Sequence, residues 1–264
     1  MKRCIWCLNE ASGKHVEHII PEALGCPSGF VLDGKSICMR CNNNLGHLDQ
    51  AVIDDFDFLA FHAGIPRKRN RPPKISSRGN VKGTVEQGKP SITFNMENYP
   101  VLAHDQAALS GYRGRDRDVK VYFQREGNIA RVSYDVEIGR NPKFIRGIVK
   151  IALSSLAYFL GAEHVTLSKY DSIRNFVRNG KGVRHVLMQS SSDSSYLNQV
   201  WPPYESECKD YSLTFRIAAI EFLVDLSEHE TQLPEFIQKS KELYSEKGWT
   251  VLPLMGRLAT NEII

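Results

Sequence analysis

No apolar run in this chain of 264 residues approaches the roughly 18 needed to cross a bilayer. The longest candidate, Ile145 to Leu160, is interrupted by Arg146 and Lys150, so no membrane partner is expected. A secretory signal is also missing. The basic start Met1-Lys2-Arg3-Cys4-Ile5-Trp6-Cys7 leads into no apolar stretch of about 7 to 15 residues with a small-residue cleavage site. A reducing, cytoplasmic setting is therefore expected, in which six cysteines serve as metal ligands or free thiols sooner than as a disulfide framework. Neither sign of charge dominates: 34 lysines and arginines against 30 acidic residues give +4, a mild bias toward anionic partners that identifies none of them. With 42% apolar and 24% charged residues the composition is that of an ordinary globular protein, and no internal repeat is apparent.

What is present is unevenly distributed. The first fifty residues hold two Cys-x-x-Cys pairs among many turn formers. From Leu48 to Ala63 the apolar positions Leu48, Ala51, Val52, Phe56, Leu59 and Ala60 recur at helical spacing, with Gly64-Ile65-Pro66 as a stop. Residues 66–79 carry six basic residues, three prolines and no acidic residue, which predicts an extended linker and the main domain boundary. Beyond it, alternating runs at 81–85, 91–95, 119–124 and 130–138 predict antiparallel strands. Helices are predicted over 142–161, 170–178 and 234–244, and strands over 183–188, 213–224 and 249–254. The expected division is thus a module at 1–65, a linker at 66–79 and an α+β domain at 80–264 that supplies recognition, oligomerisation or regulation.

Cys4-x-x-Cys7 and Cys38-x-x-Cys41 stand about thirty residues apart, a spacing that lets two knuckles close a four-thiolate zinc site. Such a site has no open coordination position, so this zinc is expected to be structural and any chemistry must lie elsewhere. Between the pairs runs Val16-Glu17-His18-Ile19-Ile20-Pro21-Glu22-Ala23-Leu24-Gly25, and Asn42-Asn43-Asn44-Leu45-Gly46 follows the fourth cysteine.

Taken together, these residues resemble the cysteine-bearing branch of the HNH endonuclease family, over about the first fifty residues only. The resemblance implies a zinc-stapled ββα-metal module followed by a larger mixed α+β domain. It implies a metal-dependent endonuclease that hydrolyses phosphodiester bonds, with His18 as general base and Glu17 and Asn42 as ligands of a catalytic Mg²⁺ or another divalent ion. That division suits the chemistry: a neutral imidazole takes a proton from water near pH 7, whereas a hard cation prefers oxygen ligands. Glu17 and His18 are neighbours on an expected strand and so point to opposite faces, unless the strand bends before Pro21. The polar residue nearest to the usual base-orienting position is Asp33.

Nucleic acid is the expected partner, DNA ahead of RNA, and Arg67, Lys68, Arg69, Arg71 and Lys74 of the linker are candidates to track its phosphates. Restriction, phage or defence settings follow from the resemblance alone. One module presents one active site, so a double-strand break would need two copies, and a homodimer built through the body is the corresponding expectation. A reading of another class is a non-catalytic zinc module that binds nucleic acid or protein. His15, His47, His164, His185, Cys26 and Cys208 are read as structural, and the helix over 142–161 as core with Arg146 and Lys150 on its wet face.

Overall fold

A computed structural model describes residues 2–63, 65, 138–139, 141–190, 198–243 and 249–252, together with the backbone of six strands between residues 74 and 135. The chain forms two compact units that interleave in sequence. The first joins Met1–Val52 to Gly139–Ile264, and the second is Ile53–Ile138. The sequence pattern had suggested consecutive domains with residues 66–79 between them; apart from the strand backbone at Lys74–Ser76, that stretch lies outside the described residues.

The first unit opens with a tight turn in which Cys4 N–H donates to the Asn9 carbonyl at 2.8 Å and Leu8 N–H to the Cys4 carbonyl at 2.9 Å. Strand β1 (Val16–His18) pairs antiparallel with β2 (Val31–Asp33), Glu17 opposite Leu32 and His18 opposite Val31. A turn follows in which the Asp33 carboxylate accepts from Lys35 N–H at 3.1 Å and Ser36 Oγ at 2.8 Å, so the polar candidate for orienting a base shapes the entry to Cys38. Helix α1 (Met39–His62) contains the amphipathic stretch expected from Leu48 and begins nine residues before it. Leu45, Leu48, Val52 and Phe56 are its buried stripe, at the three- and four-residue spacing of one helix face.

Of the second unit the strands are described. They are β3 (Lys74–Ser76), β4 (Val81–Glu86), β5 (Lys89–Phe94), β6 (Gln106–Ser110), β7 (Lys120–Glu126) and β8 (Ile129–Asp135). They form two three-stranded antiparallel sheets in the orders β3-β4-β5 and β6-β7-β8. The four strand runs predicted here correspond to β4, β5, β7 and β8.

The remainder of the first unit is built on helix α2 (Pro142–Leu160). Asn141 caps it by accepting from Lys143 N–H at 3.0 Å, and Pro142 takes the first turn, where its missing N–H costs nothing. After α3 (Asp171–Asn179) come β9 (Val186–Ser190), β10 (Gln199–Val200), β11 (Tyr204–Glu205), β12 (Tyr211–Ile217), β13 (Ile220–Asp225), α4 (Leu233–Leu243) and β14 (Thr250–Leu252). These strands form one sheet in the order β10-β12-β13-β9-β14, with β11 also paired to β12. Neighbouring residues on a strand face opposite ways, and the sheet uses both faces. Phe222 meets Phe144 of α2 with ring centroids 6.1 Å apart, whereas Leu223 packs with Leu187, Leu233 and Phe236 under α4.

The N-terminal hairpin and the start of α1 are docked on α2. A methyl group added at Gly147 would lie 2.5 Å from Val52 Cγ2 and 2.9 Å from the Leu48 carbonyl, so glycine permits the two helices to cross closely. Phe30 packs edge-on against Tyr158 at 4.8 Å. Asn198 donates to the Leu24 and Gly25 carbonyls while its own Oδ1 accepts from Ala218 N–H. Gly147→Ala would gain up to about 1 kcal/mol of helix propensity, but overpacking costs about 1–3 kcal/mol and a backbone carbonyl cannot swing aside. The substitution is therefore expected to destabilise by up to about 2 kcal/mol in urea unfolding, and a stabilised variant would show that the helices do not meet there.

Candidate functional site

Two knuckles converge at the start of α1. Cys4 and Cys7 come from the N-terminal turn, Cys38 immediately precedes the helix, and Cys41 lies in its first turn. All four sulfurs lie within 4.8 Å of one another, with Cys7 and Cys38 Sγ 3.7 Å apart. A tetrahedral ion with bonds of about 2.3 Å requires sulfurs about 3.8 Å apart, so the donor set fits zinc in both chemistry and size. The arrangement favours a thiolate at Cys4. The Cys41 thiol donates to Cys4, and with backbone N–H groups it draws the Cys4 pKa down to about 4 against the effect of burial, while Cys41 is driven upward. Four cysteines together can thus hold an ion such as zinc, and a closed set of this kind leaves no position for substrate.

On β1 the side chains alternate: Val16 is exposed, Glu17 buried and His18 half-buried. Glu17 is only 7% exposed, and its Oε1 accepts from the ammonium of Lys150, which is itself 1% exposed. The same ammonium donates to both carboxylate oxygens of Asp49, at 2.7 and 2.8 Å. Lys150 had been expected on the wet face of its helix; instead it stands in the middle of a buried run from Phe144 to Ala157. Burial pushes the Glu17 carboxyl above the usual carboxylate range, although the Lys150 charge opposes the shift. For Lys150 burial acts against the charge, but the attraction of Asp49 and Glu17 prevails and its pKa is raised.

Asn42 begins the helical ladder, its N–H donating to the Cys38 carbonyl at 3.0 Å, and its side chain is half-buried. Asn42 and Asp49 are seven residues apart, about two helical turns, and so project from one side of α1. The fold therefore sets Glu17 and His18 on β1, next to a helix that offers Asn42 beside the thiolates and Asp49 beside Lys150. The fit to a second, catalytic ion is poorer than the fit to zinc. The Glu17 carboxylate is engaged by an ammonium, and among the described residues the cysteines are the one group of three or more such ligands close enough to hold an ion. Arg67, Lys68, Arg69 and Arg71 lie outside the described residues, and of Lys74 only the backbone is described, in β3 opposite Thr84 of β4.

Asp49 and Lys150 were missed by sequence reasoning. A usable signal exists for the lysine. Ile145 to Ala157 is apolar on nearly every side, and a lone Lys in such a helix requires a buried counter-charge. Four of the other singled-out side chains have partners: His164 Nε2 with Tyr170 Oη at 3.1 Å, His185 Nδ1 with Glu230 at 2.7 Å, His47 Nδ1 with the Asn44 carbonyl at 2.8 Å, and Cys26 with the Phe30 carbonyl. Both ring nitrogens of His15 are buried without a hydrogen-bond partner.

Comparison with family models, with curated proteins and with solved structures returns no match for this chain. Among the described residues no helix is long and apolar enough to cross a membrane.

Purified protein is expected to contain one zinc per chain by elemental mass spectrometry. Free energies of about 10–16 kcal/mol tie such ions to folding in zinc-finger peptides. Chelation or Cys41→Ala should accordingly expose the fully buried Trp6, red-shifting its fluorescence. A Cys41→Ala protein that keeps its full zinc content would exclude the four-cysteine site.

Proposed function

We propose that the chain is an HNH-type endonuclease that hydrolyses phosphodiester bonds, DNA ahead of RNA. The observation that carries this reading is the arrangement around the thiolates: an antiparallel pair of strands presenting Glu17 and His18, followed by a helix that starts at the metal knuckle and bears Asn42 in its first turn. His18 is half-buried, which leaves its imidazole within reach of solvent while the strand holds its backbone in place. In the proposed reaction its neutral ring takes a proton from water, the new O–P bond forms at phosphorus, and the P–O bond to the leaving sugar oxygen breaks, that oxygen being protonated by solvent. The reading keeps a requirement for a hard divalent ion, Mg²⁺ by preference. The basic residues 66–79 and the net charge of +4 support an anionic polymer as partner, and a homodimer would bring together the two sites that a double-strand break requires. A restriction, phage or defence setting and a cytoplasmic location belong to the same proposal.

One observation favours the second reading, a zinc module that binds nucleic acid or protein without cutting: the acidic residue beside His18 is sequestered by Lys150. Cleavage separates the two. Zinc-loaded protein with Mg²⁺ or Mn²⁺ should nick or linearise plasmid, EDTA should stop it, and His18→Ala should slow it about 10²- to 10⁴-fold with zinc retained. Binding of DNA without cleavage by wild type and variant alike would select the binding module.

A further inference from the structure

We infer that Lys150 is the resident cation of the Glu17–Asp49 pair: its ammonium stands where a divalent ion would bridge the two carboxylates, and Glu17 is therefore not a metal ligand. The inference is independent of whether His18 cuts nucleic acid. One ammonium has three protons to give, and here they meet Glu17 Oε1, Asp49 Oδ1 and Asp49 Oδ2, so its donor capacity is filled. Both oxygens of Asp49 are thereby engaged, leaving neither carboxylate as a ready bidentate ligand. Lys150 and Glu17 are almost wholly buried, while the Asp49 side chain is 20% exposed, so the pair is sealed on the Glu17 side. A dication entering between the carboxylates would meet a like charge at hydrogen-bonding distance in a place that water does not screen. Strand alternation points the same way: Glu17 faces inward and His18 does not, so an ion bound by Glu17 would lie on the inner face of β1.

The charge count gives the pair its test. With both carboxylates ionised the cluster carries two negative charges and one positive, a net −1, and removing the lysine leaves −2 in a pocket suited to a hard cation. Mn²⁺ binding to the full-length, zinc-loaded protein would be followed by electron paramagnetic resonance. Glu17→Gln, which keeps the side chain's shape, is expected to leave the wild-type affinity within about twofold, or to leave an absent site absent. Lys150→Ala should create a Mn²⁺ site at least about tenfold tighter than any in the wild type, and Glu17→Gln added to it should abolish that site. Should Lys150→Ala fail to fold, thermal melts of Lys150→Met with and without Glu17→Gln decide instead: the double variant should melt above the single one, because it relieves an unpaired buried carboxylate. A loss of about tenfold or more in wild-type Mn²⁺ affinity on Glu17→Gln would overturn the inference. A failure of plasmid cleavage would count against the nuclease reading and leave the Mn²⁺ result intact.

Discussion

Much of the first unit depends on one buried ammonium. Moving an unpaired charge out of water costs several kcal/mol, a large share of a domain's net stability, so a charged lysine in the middle of an apolar helix calls for carboxylates that meet it with good geometry. Lys150 is met by two, one from β1 and one from α1, and it rises from α2. Three elements far apart in sequence are thereby held at one point. The buried Glu17 carboxylate in turn has its counter-charge in the lysine.

This explains why residues 1–52 share a unit with the C-terminal half. A stretch of about fifty residues with two three-residue strands buries too little apolar surface to stand on its own, and small domains of this size commonly rely on metals or partners. Here there are two staples. Four clustered cysteines bring the N-terminal turn to the start of α1, and Lys150 ties β1 and α1 to α2. Between them the close crossing at Gly147 and the contact of Phe30 with Tyr158 add packing. The cysteine cluster, which can hold an ion such as zinc, and the buried ammonium thus perform related tasks, each joining groups that lie far apart in sequence.

Local elements were largely legible in the sequence, because periodicity and caps are local. Asn141-Pro142 announced α2, and the alternating runs announced β4, β5, β7 and β8. The four-cysteine cluster was legible for the same reason, since Cys-x-x-Cys spacing encodes a turn. Long-range pairing was not legible. Lys150 looked like a wet-face residue because Arg146 and Lys150 lie four apart, the spacing of a solvated stripe; only Arg146 behaves partly so, reaching out to the Val177 and Arg178 carbonyls at the end of α3. Its neighbour turns inward, toward charges 133 and 101 residues away. The interleaving of the units was hidden likewise: composition marks 66–79 as a boundary, but whether a second boundary follows depends on what residues 1–52 pack against.

The strand that carries Glu17 and His18 divides two kinds of work between its faces. Inward, where water is absent, a carboxylate can be kept ionised only by a fixed counter-charge, and such a group gains rigidity at the expense of exchangeable ligation. Outward, the His18 imidazole is half-buried and lies within reach of solvent, as the proposed role as a base toward water requires. An Asp-His or Glu-His dipeptide does not by itself state which carboxylate ligates metal, since the pleat separates the two side chains and tertiary packing decides what the inward one meets. In this chain it meets a lysine.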